Sequence, residues 1–402
     1  MSSYIIGVAL FAVGITAAIA LHEAGHLLAA RAFGMRVRRY FIGFGPRVWS
    51  FRRGHTEYGL AALPFGGFCD IAGMTAQDEL TPEEAPHAMV NKPAWARVIV
   101  LLGGIAMNLL IGVVVCYGLA VSSGLPNPNM DRTATVGELT CVADQQADGE
   151  LAPCQGNGPA AAAGLRVDDR VLKVNGEPVD SFVELAQRVR EHPDESVALT
   201  VERAGERAVV TVPVARVVRV DEEGRQVTVG AIGVASAVPK DAVVTYGPGE
   251  GVGAALSYSA TVLGQTGQAL VGLPARIPGV AAAIFGAQRD VESPMSVVGA
   301  ARVGGELAQR DQWPMFWMML AGLNFFLAVF NLIPLPPFDG GHVAVVCVEV
   351  VRNWWRRLRG LAPAGPVDYS RIMPVTYAIA ATLLALGVVF IVADVVNPVR
   401  LF

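Results

Sequence analysis

Charge is scarce in this chain, and lysine is scarcer still. Only 16% of its 402 residues are charged, and Lys92, Lys173 and Lys240 are the lysines among 31 basic residues. Hydrophobic residues make up 53% of the sequence, which is typical of membrane proteins and uncommon in soluble ones. The net charge of −4 is small and argues against nucleic acid as a partner.

Four long apolar segments predict helices that span a lipid bilayer, because each approaches the roughly 20 residues that a span requires. They cover residues 4–33, 94–121, 313–335 and 374–396. Residues 251–275 also lack charge, but their serine, threonine, glutamine and glycine content makes them weakly hydrophobic. We expect this fifth segment to lie as a helix on the membrane surface.

Arginine predicts the orientation of the spans, since cytoplasmic loops of membrane proteins carry an excess of basic residues. The segments after the first span and before the fourth are rich in arginine, so both are predicted to be cytoplasmic. The N-terminus, the region between the second and third spans and the C-terminus are then extracytoplasmic. The arginines concerned are Arg36, Arg38, Arg39, Arg47, Arg52, Arg53, Arg352, Arg356, Arg357, Arg359 and Arg371.

Cysteine is also rare, with five in the whole chain. Cys141 and Cys154 fall in the predicted extracytoplasmic region, where an oxidising environment favours a disulfide between them. Two free thiols are the alternative. Cys69, Cys116 and Cys347 fall in membrane or cytoplasmic segments, and the sequence offers them no evident partner.

The region between the second and third spans, residues 122–245, predicts a compact α/β domain. Ser181 and Glu184 form a capping box that starts a helix. Pro213 restricts the strand that contains it to the edge of a sheet. Alternating apolar residues predict short half-buried strands, at residues 197–201, 210–214 and 227–229.

Two stretches of this region resemble a PDZ domain in the permuted strand order found in bacterial proteases. They are residues 159–165, Pro-Ala-Ala-Ala-Ala-Gly-Leu, and residues 169–176, Asp-Arg-Val-Leu-Lys-Val-Asn-Gly. The resemblance implies that the domain captures a peptide by adding it as a strand. The alternative is a domain that only keeps bulky substrates away from the membrane.

The first apolar segment contains the sequence His22-Glu23-Ala24-Gly25-His26. No charged residue occurs from Tyr4 to Leu21, so the motif is predicted at membrane depth, where ionisable residues are costly and usually functional. Two histidines four residues apart share one helix face. With this spacing two imidazoles bind one zinc ion and the intervening glutamate acts as general base. A structural histidine pair without a metal is the alternative.

A catalytic zinc site usually needs a third protein ligand. Prolines break the chain after the third span, and Asp339 follows them as the only charged residue between Trp313 and Val348. Its distance from the next cytoplasmic arginine is similar to that of His22, which predicts a metal shared between the two segments. His342 is the rival third ligand, and Asp339 could instead only cap the helix that follows it.

These motifs together resemble the site-2 protease family of intramembrane metalloproteases, in particular its bacterial group with a single extracytoplasmic PDZ domain, the actinobacterial branch. The resemblance rests on the histidine motif, the run from Gly104 to Asn108, and the run from Asn331 to His342, Asn-Leu-Ile-Pro-Leu-Pro-Pro-Phe-Asp-Gly-Gly-His. It implies one zinc ion (Zn²⁺) per chain, with Glu23 as the catalytic base. The implied zinc ligands are His22, His26 and Asp339.

The resemblance implies further residues that contact the substrate or the transition state. They are Gly104, Asn108 and Asn331, together with Glu57 and Tyr58 in a β element that re-enters the membrane. An ordinary hydrogen bond between helices is the alternative for each asparagine.

The resemblance also implies substrates, partners and location. The substrates are transmembrane segments of single-pass proteins, such as anti-sigma factors, that an upstream extracytoplasmic protease has already trimmed. The location is the lipid bilayer of the bacterial plasma membrane, with the active site toward the cytoplasmic side.

The predicted fold is a polytopic α-helical membrane protein of four spans, with the re-entrant β element and an inserted extracytoplasmic α/β PDZ domain. The predicted boundaries are 1–33 for the first span, 34–93 for the cytoplasmic and re-entrant region, 94–121 for the second span, 122–245 for the PDZ domain, 246–312 for an extracytoplasmic surface-helix linker, 313–352 for the third span with the Asp-Gly motif, 353–373 for a cytoplasmic loop and 374–402 for the fourth span and C-terminus.

Two other functions stay open on sequence grounds. A membrane zinc protease with a cytosol-facing chamber would take its third ligand from a glutamate on a later helix, and Glu349 lacks the spacing expected for that role. A PDZ scaffold with a vestigial metal site would be no enzyme at all.

Overall fold

The structure is a computed structural model that describes residues 2–75, 77–146, 151–220, 226–239, 241–287, 289 and 293–399. The chain divides into two compact units. The first, here called the helical unit, comprises residues 1–125, 245–281 and 294–402. The second, here called the sheet unit, comprises residues 126–244 and 282–293.

The described chain contains the following α-helices and strands. The helices are α1 (Ser2–Ala32), α2 (Ala94–Leu101), α3 (Gly103–Ser122), α4 (Pro159–Ala162), α5 (Phe182–Arg190), α6 (Pro248–Ile284), α7 (Val297–Gln309), α8 (Trp313–Asn331), α9 (Asp339–Leu358) and α10 (Met373–Val396). The strands are β1 (Val37–Arg53), β2 (Thr56–Ile71), β3 (Leu125–Pro126), β4 (Ala134–Leu139), β5 (Arg170–Val174), β6 (Glu177–Pro178), β7 (Ser196–Arg203), β8 (Glu206–Pro213), β9 (Ala215–Val220), β10 (Gln226–Ala231), β11 (Val234–Ser236) and β12 (Val243–Val244).

Five helices of the described chain are long and apolar enough to cross a membrane, namely α1, α3, α6, α8 and α10. The second predicted span is not one helix, because the chain breaks at Leu102 between α2 and α3. The third predicted span ends at Asn331, and α9 starts as a separate helix at Asp339. The count of four spans stays a prediction.

The additional candidate span, α6, includes the residues 251–275 that were expected to form a surface helix. Its first two turns contact α3: Gly251 lies against Val121 and Tyr117, and Ala255 shares a buried cluster with Cys116. That α6 lies on the membrane surface stays a prediction.

The N-terminal half of α1 packs on one side against α7 and α8. Phe11 is fully buried, and its ring meets the Phe316 ring edge-on at 5.5 Å between centroids. Gly7 lies so close to α7 that a Cβ on it would come within 2.5 Å of the Ala308 Cβ. Small residues at such a contact let helix backbones approach, which is how helices pack inside a bilayer.

The strands β1 and β2 form a long hairpin that bends back on itself. Arg39 pairs with both Glu57 and Asp70, so the hairpin builds a sheet of four short segments in the order 47–53, 56–61, 37–44 and 67–71. Gly43 allows the bend, because its φ of 89° is accessible to glycine and a Cβ there would lie 2.6 Å from the Leu63 carbonyl oxygen.

The sheet unit has a six-stranded sheet in the order β11-β4-β5-β7-β8, with β6 paired to β5. The strand β8 lies at the edge and ends at Pro213, which confirms the prediction from that proline. Val171, Leu199 and Val201 are fully buried in its core. That this unit is a PDZ domain stays a prediction.

Two local predictions in the sheet unit are confirmed. Cys141 and Cys154 form a disulfide. The Ser181 side chain accepts a hydrogen bond from the Glu184 backbone N–H at the start of α5. In a standard capping box the Glu184 carboxylate would accept from the N–H of the N-cap residue Ser181. Here it accepts from the Asp180 N–H, one residue earlier, at 3.0 Å.

Candidate metal centre

Three side chains from two distant segments converge inside the helical unit. His22 and His26 lie on α1, both buried, with their Nε2 atoms 3.3 Å apart. Asp339, the first residue of α9, places Oδ2 at 3.2 Å from the His22 Nε2 and 3.3 Å from the His26 Nε2. Among the described residues, these three side chains form the group that could hold a metal ion, because their ligand atoms all lie within 4.8 Å of one another.

The triangle of these three atoms fits a zinc ion. Tetrahedral zinc with bonds of about 2.0–2.1 Å separates its ligand atoms by about 3.3 Å, and the sides measured here are 3.2 to 3.3 Å. The Asp339 Oδ2 is buried and has no hydrogen-bond partner within the described chain. A bound cation would supply the missing partner. Asp339 does not serve as a side-chain cap, since the N-cap of α9 is Phe338 and no side chain caps it.

Each histidine is oriented through its other ring nitrogen. The His26 Nδ1 lies 2.8 Å from the Val100 carbonyl oxygen and donates its proton there. The amide group of Asn108, a fully buried residue, lies 3.1 Å from the His22 Nδ1. A ring that offers Nε2 to a metal carries its proton on Nδ1. The Asn108 Oδ1, which has no other partner in the described chain, is then the acceptor after a half-turn of the amide.

Glycines bring α3 against the histidine face of α1. Gly25 and Gly103 touch through their backbones, and a Cβ on Gly103 would lie 2.6 Å from the Gly25 carbonyl oxygen. A Cβ on Gly104 would lie 2.6 Å from the His22 Nε2 and closer still to the His26 Nε2. The sequence pattern that included Gly104 thus marks a position where only hydrogen leaves room for the two rings.

A second pair of glycines seats Asp339. A Cβ on Gly340 would lie 2.5 Å from the Ile333 carbonyl oxygen, and a Cβ on Gly341 would lie 2.5 Å from the Leu335 carbonyl carbon. The first turn of α9 is therefore packed directly onto the proline-containing loop that breaks the chain after α8. This contact holds the carboxylate at the level of His22 and His26.

A buried ion pair that the sequence analysis missed joins α2 to α9. Arg97 donates to the Glu349 carboxylate at 2.6 Å, and both side chains are less than a tenth exposed. The other Glu349 oxygen accepts the Val367 N–H at 2.8 Å. Arg97 and Glu349 each interrupt an apolar segment, and ionisable groups at membrane depth usually pair with one another. This pattern was the signal in the sequence that could have predicted the pair.

Two further predicted residues are Glu23, on α1, and Asn331, at the end of α8. Glu23 follows His22 on the same turn of α1, and a Cβ on Gly67 of β2 would lie 3.2 Å from its Cγ. Asn331 ends α8, just before the loop that leads to Asp339.

Glu57 and Tyr58 lie in the hairpin and outside the metal triangle. Glu57 accepts hydrogen bonds from Arg47 and Ser50. The Tyr58 hydroxyl accepts a hydrogen bond from Arg31. Any role of the two residues in substrate contact would therefore run through the position of the sheet.

The rivals for the third ligand lie outside the triangle. Among the described residues, His342 does not belong to the group whose ligand atoms lie within 4.8 Å of one another. Its Nδ1 lies 3.1 Å from the Tyr369 hydroxyl, and the two rings stack. Glu349 is occupied by Arg97 and by the Val367 N–H. The structure therefore offers no support for a glutamate ligand from a later helix.

The sequence matches peptidase family M50 over residues 10–360. The chain belongs to this family, the site-2 protease family of metallopeptidases. This M50 peptidase is 45% identical to the zinc metalloprotease Rip1 of Mycolicibacterium smegmatis and to that of Mycobacterium tuberculosis, in each case over 99% of both chains. It is 27% identical to a putative zinc metalloprotease of Brucella suis over 84% of both chains. Its apolar helices and family make it a multi-pass membrane protein.

We expect Gly104→Ala to expel the metal from this M50 peptidase, because the added methyl group would displace both imidazoles. Changes of this kind around a metal site lower affinity by roughly 10–100-fold. The measurement is zinc per chain by elemental analysis after dialysis against a weak chelator. Gly118→Ala, on the same helix with nothing within 4 Å of its Cβ, is the control and should retain zinc. Equal zinc content in both variants would contradict the packing argument.

We expect Glu349→Gln to destabilise the helical unit by about 3–5 kcal/mol, because it leaves the Arg97 charge buried and unpaired. The double variant Arg97→Leu with Glu349→Leu should recover much of the loss, since it removes both charges. Thermal unfolding in detergent, with zinc content, measures both effects. Arg302→Gln, which breaks the more exposed pair with Glu306 on α7, should change stability by less than about 1 kcal/mol. A single variant as stable as the parent would show that the pair is unimportant.

Proposed function

We propose that this protein is an intramembrane zinc endopeptidase that cleaves the transmembrane segments of single-pass membrane proteins. The observation that carries the proposal is the buried triangle of His22, His26 and Asp339, with Glu23 on the same turn of α1. Its fit to tetrahedral zinc supports one ion per chain. The family supports intramembrane proteolysis as the general activity.

The proposed chemistry is hydrolysis of a peptide bond. When bound, zinc would lower the pKa of a water molecule toward about 7 and polarise the scissile carbonyl. Glu23 takes the proton from the attacking water and returns it to the leaving amine nitrogen. The Val100 carbonyl and the Asn108 amide hold the two imidazoles so that both Nε2 atoms face the same point.

The hairpin sheet supports a way to present the substrate. The peptide bonds of a transmembrane helix are hydrogen-bonded within the helix, so the helix must unwind before attack. The segment 67–71 is an edge of the sheet: its partner in the described chain is segment 37–42, and Gly67 lies beside Glu23. An unwound substrate could add to this edge as a further strand. Glu57 and Tyr58 would then act by supporting the sheet.

The orientation belongs to the same proposal. The arginines of segments 34–93 and 353–373 support a cytoplasmic position for both, and the disulfide of the sheet unit supports an oxidising, extracytoplasmic position. The physiological substrates would be single-pass proteins, such as anti-sigma factors, already trimmed by an upstream extracytoplasmic protease. The sheet unit, as a PDZ domain, would enforce this order of cleavage.

A groove in the sheet unit supports a peptide-reading role. It has a volume of about 250 Å³ and lies between α5, which contributes Leu185, Ala186 and Val189, and the segment 229–234. Helix and strand walls of this kind suit an extended peptide. A domain that binds the trimmed end of a substrate would use this groove, whereas a domain that excludes bulky substrates by size would not. The two mechanisms therefore predict different effects of blocking the groove.

We expect Glu23→Ala to lower the cleavage rate by at least roughly 10²–10⁴-fold, the contribution of a general acid–base group, with zinc content unchanged. The assay is cleavage of a transmembrane reporter by purified protein in detergent, with zinc measured on the same sample. His26→Ala is the matched control and should lose both zinc and activity. A near-normal rate in Glu23→Ala would remove Glu23 from the mechanism.

We expect replacement of residues 128–241 by a short glycine-serine linker to remove the preference for trimmed substrates. The cut is feasible because the Asn127 N–H donates to the Ala242 carbonyl at 2.9 Å, so the ends are adjacent. The measurement is the ratio of cleavage rates for trimmed and untrimmed reporters. If the groove reads the peptide, Ala186→Trp should slow cleavage of the trimmed reporter, while Val183→Trp, at an exposed position of α5, should not. An unchanged ratio in the deletion would end the gating proposal.

A further inference from the structure

A concave pocket lined by basic side chains lies where the end of α1 meets the start of β1 and the turn between β1 and β2. Its volume is about 370 Å³, within the range of about 300–1,000 Å³ typical of small-ligand sites. Its polar lining comes from Arg31, Arg36, Arg53, His55, Thr56 and His87. No carboxylate of the described residues lines it.

Neighbouring arginines outside the pocket are neutralised by carboxylates. Arg38 pairs with Asp78 at 2.9 Å and with Glu84 at 2.7 Å. Hydrogen bonds from Arg38 and from Thr81 lower the pKa of Glu84 to about 2, so this carboxylate stays charged. Arg39 pairs with Asp70 in the same way, at 2.9 Å. Arg38 and Arg39 therefore already have counter-charges within the described chain.

The arginines of the pocket lack such partners. Arg31 and Arg53 have no carboxylate within ion-pair distance in the described part of the chain. Arg36 has only Glu83, at 3.9 Å, and that side chain is 87% exposed. Three guanidinium groups around one concave space repel one another, so an anion in the pocket would relieve the repulsion.

Existing hydrogen bonds hold the basic groups in place and leave donors free. Arg31 donates to the Thr56 hydroxyl at 3.1 Å, and Arg36 approaches the His55 Nδ1 at 3.2 Å. The His87 Nδ1 donates to the Gly34 carbonyl at 3.0 Å, which leaves its Nε2 uncommitted. Each guanidinium has five N–H donors, so several remain for the planar, multidentate binding that phosphate groups favour.

We propose that this pocket binds a phosphate group, carried either by an anionic phospholipid or by a free phosphate. A lipid source is supported by the surroundings of the pocket. Leu28, one turn before Arg31 on α1, is 57% exposed, and the exposed Trp95 packs edge-on against Phe33 at 5.2 Å. Apolar and aromatic side chains beside a basic pocket are typical of the boundary between acyl chains and headgroups.

The pocket is connected to the proposed catalytic turn by contiguous contacts. Arg31 donates to Tyr58, the Tyr58 and Tyr40 rings lie 5.8 Å apart, and the Tyr40 hydroxyl donates to the Ala20 carbonyl, two residues before His22. A phosphate held by Arg31, Arg36 and Arg53 would therefore tie the hairpin to α1. The expected readouts are tighter hairpin packing and a higher thermal midpoint. Neither readout depends on the catalytic role of Glu23.

The test uses the full chain in nanodiscs of phosphatidylcholine alone and of phosphatidylcholine with phosphatidylglycerol. Phosphatidylglycerol should raise the thermal unfolding midpoint, and native mass spectrometry of the detergent-purified protein should show a retained phosphatidylglycerol molecule. The variant Arg36→Gln with Arg53→Gln should bind roughly tenfold more weakly or worse, because it removes two charged donors. Arg52→Gln, which removes one positive charge from a residue that does not line the pocket, is the control and should behave like the parent.

Two further arms separate the sources and guard against misfolding. Inorganic phosphate titrated into phosphatidylcholine nanodiscs should raise the midpoint if the ligand is a free phosphate, and phosphatidylglycerol would then have no effect. The variant Arg36→Lys with Arg53→Lys retains the charges and should recover much of the binding, which shows that the glutamine variant fails through charge. If neither ligand shifts the parent, or if Arg52→Gln loses as much binding as the double variant, the pocket is not a phosphate site.

Discussion

The meeting of α1 with α9 around His22, His26 and Asp339 is the contact on which the rest of the helical unit depends. Two imidazoles and a carboxylate inside an apolar helix bundle are expensive to bury apart, and together their arrangement fits a cation. The break between α8 and α9 places Asp339 at the start of a new helix. The break at Leu102 separates Val100 on α2 from Gly104 on α3, and both residues contact the histidines.

Close backbone approach makes this convergence possible. Gly25 against Gly103 brings α3 onto α1, and Gly104 leaves room for the imidazoles. The helix α2 contacts both helices that carry the three side chains. Its Val100 carbonyl accepts a hydrogen bond from His26 of α1, and its Arg97 pairs with Glu349 of α9. The ion pair and the group of His22, His26 and Asp339 are therefore joined through the same two helices, α2 and α9.

The hairpin of β1 and β2 joins the centre to the basic pocket at the end of α1. Its edge segment lies beside Glu23, while its turn and its first strand help to form the basic pocket at the end of α1. The sheet is the element through which a substrate strand and a bound anion could each act on the same helix. Tyr40 and Tyr58 lie between the two ends.

The sequence by itself determined the features that reside in a few neighbouring residues. The spacing of His22 and His26, the capping box at Ser181, the edge strand ending at Pro213 and the disulfide partners were all readable, because periodicity, capping and redox environment act locally. Only the tertiary structure decided that His342 faces Tyr369, that Glu349 pairs with Arg97 and that α6 packs on α3. These contacts join residues far apart in the chain. They depend on how closely two backbones approach, which a glycine permits without specifying its neighbour.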